Sequence, residues 1–438
     1  MQIGFITTQK EHNDVTPPVP VFEQGMDYTC LGKGVIYPAK SPDVNANEII
    51  LGATGSGKSM SVCEPRILHT FNSSLVIPIV KRKTYDLYAP LLEERGYEVW
   101  DLNLAHPEKS NIGYDPCRGF KTEDDMLSLA GTIACTRSGS LMGDSDPYWT
   151  QAETAVIASL IGLSDFKKQG KGRFVDFIRY YKKFRVDLRG SHCETNYDKD
   201  INGLKALDPS SQIPKLWETL SGNNSKTSAC IMSMVNNSLG RFTGSYGEAL
   251  FGKGKTINIK ALGKRKVALF VTTNTVSEPC QMINNILYMD IFKELFEEAE
   301  SQGGSLSVPV HIIADDFACS SKINGFANYI SVFRAAGISV SILLQSLTQL
   351  DSLYGEYEAS TIRNNCDSWV YMGSMDIHTC EEMARRTDKT VKEIMDMKVG
   401  QIIVLRRGYG SVFTERYPIL EDELYIQHIL KEDTQEMQ

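Results

Sequence analysis

Eight consecutive residues, Gly52-Ala53-Thr54-Gly55-Ser56-Gly57-Lys58-Ser59, fit the pattern G-x-x-x-x-G-K-[ST] and constrain how the chain around them must run. The apolar run Glu48-Ile49-Ile50-Leu51 before them reads as a short buried strand, and a helix-like stretch follows from Lys58. A loop between such elements turns successive backbone N–H groups inward around a polyphosphate, with the positive end of the helix behind it. Gly52, Gly55 and Gly57 permit backbone angles that a side chain would forbid. The pattern assigns residues 52–59 and the adjoining Met60 to nucleotide binding. Within it, Lys58 reaches the β- and γ-phosphates and the Ser59 hydroxyl ligates Mg²⁺. With glycine at its average usage of about 7%, a chain this long shows the pattern by chance roughly once or twice in a hundred. The strand before it and the helix after it make a capping turn a still poorer explanation.

A chain of 438 residues exceeds one small core and implies several structural units. No stretch approaches eighteen uninterrupted apolar residues, and Met1 to Lys10 lacks the basic-then-apolar build of a secretory signal. The ten cysteines are scattered singly, as expected for reduced thiols in a cytoplasmic setting. A net charge of −8 excludes a surface coated in basic groups but not a local track. One such track runs from Phe166 to Arg189, with nine Lys/Arg against two Asp, interleaved with Phe174, Phe177, Tyr180, Tyr181 and Phe184. The reverse bias closes the chain, where Glu421 to Gln438 carries six acids and one lysine.

The fold class read from the pattern is α/β. Residues 1–46 hold five prolines and little periodicity, and read as an irregular arm. Strands are expected at Ser74–Val80 and Tyr97–Leu102 with a helix between, in the alternation of a parallel sheet. Pro65 should end or kink the helix after the phosphate loop. Apolar spacing then turns helical through residues 121–241, with polar breaks at 190–202 and 222–224. Strand signals resume at Lys266–Thr272, Val310–Ala314, Ser339–Leu344 and Ser368–Met372, with a long helix near Cys280–Glu300 and a closing hairpin around Gly408 and Gly410. The divisions are therefore 1–46, 47–120, 121–241, 242–420 and an acidic tail, 421–438.

A phosphate loop needs partners. Val-His-Ile-Ile-Ala-Asp-Asp-Phe, residues 310–317, is a buried strand ending in two carboxylates. Asp315 is placed to act on Mg²⁺ and Asp316 to orient an attacking water. Gln345, at the tip of the next strand, can sense a γ-phosphate by hydrogen bonding. Arg363 is the candidate for a guanidinium donated across a subunit boundary. In the basic track, phosphates would attract Lys167, Lys168, Arg179, Lys182 and Lys183, while the aromatics stack on bases or pack a local core.

Taken together these segments resemble the type IV secretion coupling proteins, the TraG/TraD-type conjugation ATPases. The likeness extends through Glu64-Pro65, Ser110-Asn111-Ile112-Gly113-Tyr114-Asp115-Pro116, Pro147-Tyr148-Trp149, Asp315-Asp316-Phe317-Ala318, Gln345-Ser346 with Gln349-Leu350, and Tyr354-Gly355 followed by Arg363-Asn364-Asn365-Cys366-Asp367. It covers roughly residues 47–418. It implies a RecA-like P-loop nucleotide-binding domain with an inserted all-α domain. It further implies ATP and Mg²⁺ as cofactors, a homo-hexameric ring, and Gln345 and Arg363 as γ-phosphate glutamine and trans-acting arginine. The implied partners are single-stranded DNA or a relaxase–DNA complex, or protein effectors, and type IV secretion channel components at the cytoplasmic face of the inner membrane.

Three departures stand out. Ile79-Val80-Lys81-Arg82 occupies the place of the family's Asp-Pro-Lys-Gly, the second carboxylate after the strand is Asp rather than Glu, and no membrane-spanning helix is encoded. Two other readings stay open: a double-stranded DNA translocase of the FtsK/HerA kind, and a docking platform that hydrolyses ATP poorly.

Overall fold

The computed structural model describes residues 22–23, 25–138, 147–188, 193–274, 277–315, 317, 322–323 and 325–430. A hairpin of β1 (Tyr28–Gly32) and β2 (Val35–Pro38) opens them. The sheet begins with β3 (Glu48–Leu51), then α1 (Glu64–Leu68), β4 (Ser74–Ile79), α2 (Lys83–Glu94) and β5 (Glu98–Asn103). Helices α3 (Glu123–Ser138), α4 (Pro147–Lys167) and α5 (Phe174–Lys182) follow, then the two-residue strands β6 (Val186–Asp187) and β7 (Glu194–Thr195). The helical run resumes with α6 (Asp198–Leu207), α7 (Ile213–Ser221), α8 (Ser225–Gly240) and α9 (Ser245–Phe251). The chain returns to the sheet through β8 (Val267–Thr272), α10 (Glu278–Ser301), β9 (Val310–Ala314), α11 (Phe326–Ala336) and β10 (Ile338–Leu344). It closes with α12 (Leu347–Asn364), β11 (Ser368–Tyr371), α13 (Ile377–Thr387), β12 (Gln401–Arg406) and β13 (Tyr409–Glu415).

Among the described residues nine strands form one sheet, in the order β13-β12-β11-β3-β10-β9-β4-β8-β5. The seven from β11 to β5 run parallel, and β12 and β13 are antiparallel additions at one edge. Strands β3, β4, β8, β9 and β11 are buried at every position, which is why their sequences are continuous apolar runs rather than alternations. Alternate residues serve two layers. Ile49 and Leu51 join the core under α10 to α13, while Ile50 faces the core of α1 and α2. A parallel sheet covered on both faces is the expected α/β class, and it aligns the carboxyl ends of β3, β9, β10 and β11 at one edge.

A buried polar cluster ties the other ends of these strands together. Glu48, which starts β3, is ion-paired with Arg66 of α1 and accepts hydrogen bonds from Thr29 (3.2 Å) and Ser341 (2.8 Å). His311 of β9 bridges Ser339 and Ser341 of β10 at 2.8 and 2.9 Å, and burial holds its imidazole well below its usual pKa. Such a cluster is stable only when each member is satisfied.

The structure departs from the sequence reading in four places. Residues 28–38 form a hairpin rather than an irregular arm, because Gly34 turns at φ +72°. Pro65 neither ends nor kinks the helix. A π-helical turn over Ser59–Cys63 hands over to α1 at Glu64, so the proline sits in a first turn where no N–H is needed. The expected polar break at 190–202 carries β7 and the start of α6. At the carboxyl end, Asp422, Tyr425 and Ile429 are buried, and Asp422 is bonded to His69 (2.7 Å) and to Tyr417. Among the described residues no helix is long and apolar enough to cross a membrane.

Candidate nucleotide site

The loop leaves β3 pinned to its neighbours: Gly52 N–H donates to the Leu344 carbonyl of β10 (3.1 Å), and Ala53 N–H to the Gly373 carbonyl after β11 (3.0 Å). Gly55 and Gly57 take φ +78° and +85°, the left-handed region that lets the loop reverse its N–H groups. Lys58 folds back, its Nζ donating to the carbonyls of Gly52 (2.6 Å) and Ala53 (3.4 Å). The Ser59 hydroxyl donates to Asp315 Oδ2 at 3.3 Å, across 256 positions of sequence.

Strand order explains that meeting. β10 lies between β3 and β9, so Gln345, following β10, stands between the loop and Asp315, which follows β9. The three groups line one cleft of about 570 Å³ together with Met60, Lys81 and Thr84. Gln349 Nε2 donates to Gln345 Oε1 at a long 3.5 Å. Glu64 also lines the cleft, where burial raises its pKa against the hydrogen bond from the Tyr88 hydroxyl (2.9 Å). Arg82, in the segment that departs from the family pattern, turns away to Asp101 (2.7 Å) and lies 3.7 Å over the Tyr85 ring.

Do these residues fit a nucleotide and a divalent cation? The Gly52 cradle has no room for a side chain, because a Cβ would strike Ser56 Oγ and come within 3.1 Å of the Met372 Cβ. Ser56 Oγ is buried with no hydrogen-bond partner among the described residues, a polar atom left for something bound in the loop. One hydroxyl and one carboxylate in contact are hard oxygen donors of the kind magnesium takes. The fit is good.

Of the two remaining catalytic candidates, only Arg363 is described, and it lies elsewhere. Asp316 falls outside the described residues. Arg363 sits near the opposite end of β3. Two positions after it, the Asn365 carbonyl accepts from the side chains of Asn45 and Asn47, which precede that strand. Its guanidinium is largely buried and ion-paired with Asp351, which also contacts His378 Nε2 at 3.0 Å. It therefore cannot serve its own chain's loop.

The basic track is not an open strip of cations and rings. Phe174, Phe177, Tyr181 and Phe184 are buried, and Tyr180 stacks on Tyr197 with ring centres 4.0 Å apart, so the aromatics pack the local core instead of offering faces to bases. Lys167 pairs with Asp200 (2.6 Å), Lys168 with Asp176 (2.9 Å), and Arg179 and Lys182 both with Glu248 (2.7 and 3.6 Å). Lys183 is exposed and in no ion pair among the described residues. Exposed pairs exchange partners at little cost, so these cations stay available to phosphate, though their field is locally neutralised.

Sequence reasoning missed one group at the loop. Arg416, immediately after β13, places its Nη1 3.0 Å from where a Gly57 Cβ would stand. The antiparallel closing strands carry it to the loop's edge of the sheet, and no local motif announces it.

The family model described as "Type IV secretory system Conjugative DNA transfer" matches residues 8–409. The chain belongs to that family. Among solved structures, this coupling-protein family member is similar to the bacterial conjugative coupling protein TrwBdeltaN70 in its unbound form, with a TM-score of 0.63 at 14% identity over 90% of this chain and 89% of that one. It is also similar to the plasmid coupling protein TrwB in complex with ADP and Mg²⁺, at TM-score 0.60 and 16% identity over 84% and 85%. VirB4 of Thermoanaerobacter pseudethanolicus matches at TM-score 0.56 and 11% identity over 90% and 97%. These likenesses establish a shared fold. Compared with curated proteins, the sequence has no significant match.

Proposed function

We propose that this coupling protein is an ATP-hydrolysing motor that passes conjugative DNA, received as a relaxase–DNA complex or single strand, to a type IV secretion channel at the cytoplasmic face of the membrane. The observation that carries the reading is the contact of Ser59 Oγ with Asp315 Oδ2 beside a loop of two left-handed glycines. The binding of ADP and Mg²⁺ by TrwB on the same fold supports it.

In this reading, Lys58 leaves the Gly52 and Ala53 carbonyls and its ammonium takes the terminal phosphates. Ser59 and Asp315 would hold magnesium, which would supply neutralising charge to those phosphates. Gln345 hydrogen-bonds the γ-phosphate, Asp316 orients the attacking water, and Arg363 acts on the nucleotide of the adjacent subunit in a homo-hexameric ring. The segment 121–241 is an insertion domain that contacts cargo through Lys167, Lys168, Arg179, Lys182 and Lys183 after they exchange their carboxylates for DNA phosphates. Residues 47–120 and 242–420 form the nucleotide domain around it.

The test is phosphate release by purified protein with and without single-stranded DNA. Wild type turns over and is stimulated by the strand, and Lys58→Ala abolishes turnover. A rate that no nucleic acid moves would overturn DNA as cargo, and turnover by Lys58→Ala would overturn the site.

A further inference from the structure

The phosphate loop has two flanks. On one stand Asp315 and Gln345, from β9 and β10; on the other stand β11, β12 and β13. Arg416 closes the second flank. Its backbone N–H is tied to the Gly400 carbonyl (3.0 Å), which fixes the residue at the end of the hairpin, and its side chain lies along Gly57. From the position of a Gly57 Cβ, Nη1 is at 3.0 Å, Cζ at 3.4 Å and Cδ at 3.6 Å. Among the described residues, the buried Nε has no hydrogen-bond partner and no carboxylate pairs with the guanidinium. A half-buried arginine without an anion, laid against the glycine that precedes the loop lysine, is a cation short of its counter-charge.

We propose that Arg416 binds the non-transferred phosphates of the nucleotide, from the same chain that supplies the loop. The assignment rests on the nucleotide site above and on its direction. If the terminal phosphate faces Asp315 and Gln345, the rest of the nucleotide extends across Gly57 toward β11–β13, where Arg416 is the cation at hand. Gly57 is then required twice: for its positive φ, and because any side chain there meets the guanidinium. The contact also makes the closing hairpin part of the nucleotide site, although it is the most distant part of the sheet in sequence from the loop.

The group is distinguishable from a γ-phosphate sensor. A contact to phosphates shared by ADP and ATP weakens both by the same factor, whereas a γ contact weakens ATP alone. The experiment is equilibrium titration of Mg-ADP and Mg-ATP against wild type, Arg416→Ala and Arg416→Lys, with melting temperatures of the nucleotide-free proteins alongside. We expect Arg416→Ala to weaken both nucleotides about tenfold or more, as loss of one charge-assisted contact does. Melting should stay unchanged, and Arg416→Lys should recover part of the loss because charge is kept while the fork is not. Unchanged affinities for both nucleotides, a loss confined to ATP, or a loss that lysine does not relieve and that accompanies a lower melting temperature would each overturn the proposal. Failure of wild type to bind either nucleotide is a different result: it removes the nucleotide site itself.

Discussion

Asp290 is a carboxyl that the fold keeps protonated. It lies on α10 against the Tyr114 hydroxyl, and burial raises its pKa to about 8, with Glu294 and Asp115 adding repulsion. An acid whose pKa is higher folded than unfolded binds its proton more tightly in the native state. Between about pH 4 and pH 8 the native chain therefore holds more protons here than the unfolded chain, and this residue's contribution to stability falls as pH rises through that window. The slope approaches 1.4 kcal/mol per pH unit in mid-window. Asp290→Asn keeps an acceptor for Tyr114 and removes the titration. Chemical denaturation at a series of pH values should show the variant gaining on wild type from pH 5 to pH 8, and parallel curves would mean that Asp290 is ionised in the native state.

Among elements, glycines inside helices separate two kinds of constraint. In α9 a Cβ on Gly247 would run into the Phe242 carbonyl oxygen and come within 2.8 Å of its carbon, so backbone must shift. Gly247→Ala should cost about 2–3 kcal/mol in denaturant unfolding. Gly203, inside α6, has nothing within 4 Å of the same position, and Gly203→Ala should stabilise by about 0.5–1 kcal/mol. Equal effects at the two sites would contradict the packing of α9. The same contrast explains which elements were legible in sequence. The fully buried strands announced themselves as apolar runs, and the loop as eight contiguous residues. Hairpin β1–β2 did not, because a tight turn at Lys33-Gly34 carries little signal among prolines. The break in α12 at Gly355, φ +75°, is likewise a single-residue event. Asp315 was readable as a charge at a strand tip, whereas Arg416 needed the strand order: 359 positions separate it from Gly57, and only the antiparallel closure returns it to the loop.

For the whole molecule, the decisive question is whether a nucleotide site is completed by one chain or two. The loop, Asp315 and Gln345 share a cleft, while Arg363 lies near the far end of β3 and is bound to Asp351. A side chain so placed either acts on a neighbouring chain or is simply half of an internal ion pair, and a mixing experiment separates these. Lys58→Ala and Arg363→Ala proteins should each be inactive alone. In a ring assembled from equal amounts of both, an intact site arises wherever an Arg363→Ala chain, which keeps its lysine, abuts a Lys58→Ala chain, which keeps its arginine. Random assembly makes that roughly a quarter of the interfaces, so phosphate release should return to about that fraction of wild type if sites fire independently, and to less if neighbours must act in turn. Turnover by Arg363→Ala alone would reduce the arginine to its bond with Asp351. Two inactive parents and an inactive mixture, with oligomers verified by light scattering, would mean that Arg363 serves its own subunit through the α12 ion pair rather than its neighbour's nucleotide.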